Sequence, residues 1–226
     1  MLALKLGLSL VSNRKLGSWL PTDETSAVAW YQNKTGITLN GTDVSQWADS
    51  ANSYDMDQAT EDEQPAYNAS TGALTFDSSD DQSLQTSSQI SLAGAFTIGI
   101  RLYPTGDFDA TFIGDNTSNN HLLKYTSTSN IRIKIGGTAG NIPLDSGTFG
   151  DDYLVITRDG SDVLTLHKNG VAQSTTITKS GTALIDAIGV RATDINSYDG
   201  TISEVQIYSS TSSGLTANVN DYLSSI

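Results

Sequence analysis

The chain of 226 residues contains no cysteine, four prolines, two histidines and only four glutamates, Glu24, Glu61, Glu63 and Glu204. Without cysteine there is no disulfide framework, no thiolate metal site and no cysteine nucleophile, so stability has to come from packing. A single domain of this length buries roughly 70–75% of its unfolded surface, which is enough for a real core. The two histidines, His121 and His167, fall on separate short apolar runs with no ligand set beside them, and that pattern does not suit zinc or nucleophilic chemistry. Basic residues are scarce as well. Twelve Lys and Arg face 25 Asp and Glu, a formal charge of -13, whereas a binder of nucleic-acid phosphates needs a basic face. No apolar run approaches the roughly 20 residues of a membrane span, so membrane insertion is not expected.

What is present is a series of strand-length apolar runs separated by polar turns. They include AVAWYQ (27–32), ALTFD (73–77), AFTIGIRLYP (95–104), HLLKYT (121–126), NIRIKIGG (130–137), DYLVITRDG (152–160), DVLTLHKNG (162–170) and GTISEVQIYSS (200–210). Their period is two: Ile98, Ile100 and Leu102 share one face, as do Ile131, Ile133 and Ile135. About eleven such runs, with no amphipathic helix before the C-terminus, predict an antiparallel two-sheet sandwich. Asp159-Gly160 and Asn169-Gly170 mark tight turns, so 153–178 should form a three-stranded meander. The end, GLTANVNDYLSSI, predicts a short helix capped by Thr216, with Val219, Tyr222 and Leu223 facing inward.

The acid is concentrated. From Asp43 to Asp81 there are ten acidic residues and no Lys or Arg. Within this stretch, residues 41–72 have little periodicity but several aromatics, which predicts a long ordered loop and a natural place for a binding surface.

Six pieces occur in a characteristic order: WADS at 47–50, QPAY at 64–67, LTFDSSDDQSL at 74–84, FTIGIRLYP at 96–104, the RDG…LTLHKNG hairpin, and DGTISEVQIY at 199–208. In that order residues 27–226 resemble the concanavalin A-like lectin/glucanase superfamily, specifically its laminin-G-like jelly rolls. The resemblance implies two curved antiparallel sheets with the first and last strands as neighbours, and Phe76, Ile202, Val205 and Ile207 in a shared core. It also implies glycan binding on a sheet face or rim, and often a structural calcium. Aromatics that stack on sugars and amides that bond hydroxyls point to Trp47, Tyr54, Tyr67, Asn119, Asn120 and Tyr125. Loop carboxylates brought together by the implied fold point to Asp77, Asp80, Asp81 and Asp199 for calcium. The superfamily's glycosidases carry paired glutamates on one strand in an E-x-D-x-x-E pattern. None of the four glutamates here makes that pattern, so no enzymatic activity and no catalytic residue is expected.

The N-terminus alternates strictly: Leu2, Leu4, Leu6, Leu8 and Leu10 on one face, Ala3, Lys5, Gly7 and Ser9 on the other. Lys5, Gly7 and Ser9 interrupt the apolar run and no A-x-A site follows, so it does not read as a signal peptide. Burying five leucines contributes roughly 7–15 kcal/mol, while ordering about ten residues costs roughly 10–20 kcal/mol. The segment therefore needs another sheet to join, as in β-augmentation on a partner, with an extra edge strand on its own sandwich as the alternative. These features divide the chain into a docking arm and linker (1–26) and a lectin-like domain (27–226). Together they resemble the lectin-like structural proteins of tailed-phage virions, which implies attachment to capsid, neck or tail proteins, display of a domain that meets cell-surface glycans, and a virion location, with self-association as a further option. The alternative is a carbohydrate-binding module of a secreted bacterial protein, located outside the cell.

Overall fold

The computed structural model describes residues 19–106, 108–191 and 196–226, and within them not the side chains of residues 119–122. Leu2, Leu4, Leu6, Leu8 and Leu10 lie outside the described residues. In chain order the strands are β1 (Ala27–Tyr31), β2 (Ile37–Asn40), β3 (Asp43–Trp47), β4 (Met56–Asp57), β5 (Ala66–Asn68), β6 (Ala73–Phe76), β7 (Leu84–Leu92), β8 (Phe96–Pro104) and β9 (Thr111–Asp115). There follow β10 (Ser118–Ser127), β11 (Asn130–Ile135), β12 (Thr138–Pro143), β13 (Asp152–Arg158), β14 (Val163–Lys168), β15 (Val171–Ala172), β16 (Ile177–Thr178), β17 (Ala183–Ile188) and β18 (Gly200–Tyr208). One helix, α1 (Ser213–Ser224), closes the chain.

All pairings are antiparallel and fall into two layers. In one, β8 lies between β13 and β18; β14 follows β13, and the far side of β18 is shared by β6 at its start and β1 at its end. In the other, β7, β17, β9, β10, β11 and β12 follow one another. A short ladder through β3 and β4 joins the layers at one edge. The first and last strands are neighbours, as the resemblance implied, and Phe76, Ile202, Val205 and Ile207 are buried in the common core. The alternation in β8 places Phe96, Ile98, Ile100 and Leu102 in that core and turns Thr97, Gly99, Arg101 and Tyr103 to the outer face.

Part of that outer face is covered. Leu215, Val219 and Leu223 of α1 pack on Val155 and Tyr208, with Trp19 against the same cluster. Burial of each aliphatic anchor is worth about 1.5–3 kcal/mol. Gly99 makes the approach possible, since a Cβ there would stand 2.5 Å from Val219 Cγ1. Trp19 lies 6.4 Å from Tyr208 and 6.2 Å from Tyr222, ring to ring, so packing against the domain reaches back into the segment read as arm and linker.

Three local expectations need correction. The helix cap is Ser212, whose Oγ accepts from Leu215 N at 3.0 Å, whereas the Thr216 hydroxyl bonds back to the Ser212 carbonyl at 2.8 Å. At the first meander turn the positive φ belongs to Asp162, not Gly160, because the Asp159 carboxylate already organises the loop by accepting from Ser161 N and Val163 N. Asn169 and Gly170 do adopt positive φ as expected, but the third strand is split into β15 and β16, both paired to β14. Finally, 41–72 is not one loop. It contains β3, β4 and β5, and its irregular part is tied by Asp49, whose carboxylate accepts from the backbone N–H of Trp30, Ala51, Asn52 and Tyr54 at 2.8–3.2 Å.

Candidate functional site

The aromatics singled out from the sequence do not converge on a surface. Trp47 is sealed in the core with its indole N–H donated to the Gln32 carbonyl at 3.1 Å, and Tyr125 is buried between Phe112 and Phe149. Neither can stack on a sugar, and this overturns both assignments. Tyr54 and Tyr67 are half-buried against the same core. Asn119 and Asn120 stand at the start of β10, and their side chains lie outside the described residues.

The acidic candidates are partly brought together. Pairing of β6 with β18 sets Asp199 beside the turn after Phe76, where its carboxylate accepts from Ser78 N at 2.9 Å and Ser78 Oγ at 2.8 Å. Asp77 accepts from Ser79 N and Oγ at 2.8 and 2.7 Å, which holds its pKa below the usual carboxylate range. Asp81 takes the Ser197 hydroxyl at 2.7 Å, and Asp80 is exposed. Each of the three bonded carboxylates thus serves a local hydroxyl or amide. Among the described residues no three His, Cys, Asp or Glu side chains are placed to share a metal ion.

A different surface has the composition of a binding site. Beyond the edge of α1, the outer face of β6, β18 and β8 stays open and forms a groove of about 590 Å³. Strand register sets its floor: Tyr103 lies opposite Thr201, and Thr201 opposite Thr75. Tyr103 is 44% exposed, an unusual position for a large ring on an otherwise polar face. Two residues earlier on the same face, Arg101 donates from Nη2 to both oxygens of Asp151 at 3.2 Å and from Nη1 to the Leu223 carbonyl in the last turn of α1 at 3.2 Å. One wall is Asn33, whose Nδ2 donates to the Thr71 carbonyl at 3.1 Å. Gly72 permits that closure: its φ is +80°, and a Cβ would lie 2.5 Å from Asn33 Nδ2.

Under the covered half of the same face sits Glu204, fully buried. Its carboxylate accepts from the Trp30 indole N–H, from Gln206 Nε2 at 3.1 Å and from Asn33 N at 2.6 Å. Gln206 Oε1 in turn accepts the Tyr208 hydroxyl at 2.9 Å. Burial dominates these donors and pushes the Glu204 pKa up to about 7. Tyr222 of α1, whose ring meets Trp30 edge-on at 6.0 Å, is pushed up to about 12 by burial and then by the nearby Glu204. Glu204 reaches Asn33 at the groove wall but does not itself face the opening.

The sequence matches no protein-family model and no curated protein. Solved structures do match. The likeness is one of fold. Domain 4 of AbnA, a GH43 extracellular arabinanase from Geobacillus stearothermophilus, in complex with arabinotriose, superposes with a TM-score of 0.55 at 16% identity over 87% of this chain and 97% of that one. Trypanosoma rangeli sialidase, in complex with the inhibitor DANA, gives a TM-score of 0.56 at 12% identity over 87% of this chain and 32% of the sialidase. The binding domain of Paraclostridial Mosquitocidal Protein 1 gives 0.56 at 14% identity over 91% of this chain and 53% of that one. The chain therefore spans nearly the whole of the arabinanase domain, about a third of the sialidase and about half of the toxin domain.

Sequence reasoning missed Arg101 and Tyr103 although the signal was present. The alternation that placed Ile98, Ile100 and Leu102 inside also places 99, 101 and 103 outside.

Proposed function

We propose that this chain is a non-catalytic carbohydrate-binding β-sandwich that holds a glycan in the groove over β6, β18 and β8. One observation carries the reading: an exposed tyrosine ring two residues from an arginine–carboxylate pair, on a stiff three-strand floor lined by threonine hydroxyls. A ring face takes the C–H face of a sugar, while planar charged groups and hydroxyls fix its O–H groups. The arabinotriose described with the arabinanase domain supports a glycan as ligand. The non-catalytic half of the reading is supported by the glutamates: Glu204 is buried, and none of the four is among the residues that line the groove. Titration calorimetry of the intact chain against arabino-, malto- and cello-oligosaccharides tests the reading. Tyr103→Ala should weaken any binding at least tenfold without moving the urea midpoint; unchanged affinity would remove the groove from consideration.

The alternating leucines at 2–10 support a finer reading, in which the N-terminal segment docks on a virion capsid, neck or tail partner and the sandwich faces outward. Deleting residues 1–18, which spares Trp19, should abolish incorporation into particles while leaving the fold intact. Undiminished incorporation would rule the arm out.

A further inference from the structure

We infer that the groove selects uncharged sugars and holds them by two adjacent hydroxyls on the Arg101–Asp151 pair, discriminating against sialylated and uronate-containing glycans. The inference rests on the glycan-binding reading above and specifies its ligand class.

The argument is one of charge and of unused hydrogen-bonding capacity. Among the described residues that line the groove Arg101 is the one Lys or Arg, and its guanidinium is already matched by Asp151 at 3.2 Å, so the lining itself carries no net positive charge. The surrounding chain has a formal charge of -13. A glycan carboxylate entering here would meet the Asp151 carboxylate, 68% exposed, before it met the guanidinium, which is 24% exposed and turned toward Leu223. Recognition of a glycan carboxylate calls for an arginine whose charge is unpaired, and the Arg101 charge is already matched by Asp151.

The same pair is well suited to neutral hydroxyls. A guanidinium has five N–H donors and a carboxylate about four acceptor sites, of which the mutual contact and the Leu223 carbonyl use only a part. Each of two neighbouring sugar hydroxyls can accept from Arg101 and donate to Asp151. Arg101 and Tyr103 are about 7 Å apart along one face of β8, so a ring resting on Tyr103 presents its edge to the pair. Thr201 and Thr75 continue the floor across the strands over roughly 10 Å, long enough for a short oligosaccharide.

The test uses the intact chain on a printed array of neutral, uronate-containing and sialylated glycans, followed by calorimetry on the strongest neutral binder and on lactose against 3′-sialyllactose. Signals confined to neutral glycans are expected. In Asp151→Asn, affinity for the neutral binder should fall about tenfold, the value of one charge-assisted hydrogen bond, while the preference for lactose over 3′-sialyllactose narrows by a similar factor. The urea midpoint of the variant should stay in place, because Asp151 lies at the surface. Carboxylated glycans bound as well as neutral ones would overturn the inference and leave the glycan-binding reading standing. Silence across the whole array would bring down that reading, and the inference with it.

Discussion

Glu204 makes stability depend on pH in a direction opposite to that of most paired carboxylates. Its folded pKa of about 7 lies above the 4.5 of a free glutamate. A group raised in this way contributes stability that is complete below the unfolded pKa and is lost as pH rises through the folded one. The gap of about 2.5 units, at about 1.4 kcal/mol per unit, amounts to roughly 3 kcal/mol, of which about 2.5 kcal/mol falls between pH 5 and pH 8. Charged groups nearby do not offset it: Arg101, in register opposite Glu204 on β8, is committed to Asp151 and Leu223, and Tyr208 and Tyr222 stay neutral over this range. In Glu204→Gln the amide oxygen can still accept from Trp30 and Gln206, but its nitrogen faces the Asn33 N–H, a fixed cost of about 1–3 kcal/mol. Urea unfolding followed by tryptophan fluorescence at pH 5 and pH 8 reads both proteins. The variant should be the less stable at pH 5 and should recover about 2.5 kcal/mol relative to the parent by pH 8. Asp186, also raised by burial, and His167, lowered by it, titrate in both proteins and cancel in the comparison. Parallel pH profiles for the two proteins would refute the assignment of a buried, protonating Glu204.

Other consequences follow from single contacts. Arg158 is buried with its guanidinium over the Phe96 ring and its N–H groups on the carbonyls of Leu92, Gly94 and Gly181, so Arg158→Met, which orphans these acceptors, should lower unfolding free energy by about 3–5 kcal/mol in urea titrations. Gly99→Ala places a methyl against Val219 and should cost about 1–3 kcal/mol; adding Val219→Ala should restore part of the loss, and strict additivity in that double-mutant cycle would exclude the contact as the cause. Asp49→Ala frees four backbone N–H groups and should expose the loop at 49–55 to limited proteolysis at a concentration that leaves the parent uncut.

The fold was legible because its core follows period two. Alternation in β8 and β11 marked the side chains that lie inside, and the resemblance carried by the six motif pieces implied β1 beside β18. Two of the binding candidates, Trp47 and Tyr125, failed where residue type was used in place of that period. Tyr125 shares the inward face of its strand with Leu123, so the pattern already assigned it to the core. Trp47 is harder, because the irregular register between Thr38 and Leu39 disturbs the neighbouring alternation and β3 does not keep a strict period.

What the sequence could not convey is which half of an outward face is covered. Glu204, Gln206 and Tyr208 alternate with Val205 and Ile207 in the manner of a solvent face, yet all three are buried beneath α1, Trp19 and Trp30. Local pattern fixes only which side of the sheet a residue takes; the covering layer comes from an element several residues beyond the strand, admitted by the missing side chain at Gly99. Arg101 marks the border. One amino group reaches the last turn of α1 and the other the exposed Asp151, so the element that buries Glu204 also aims the charged pair of the groove. Burial on one side of that arginine and openness on the other are thus two results of a single docking event.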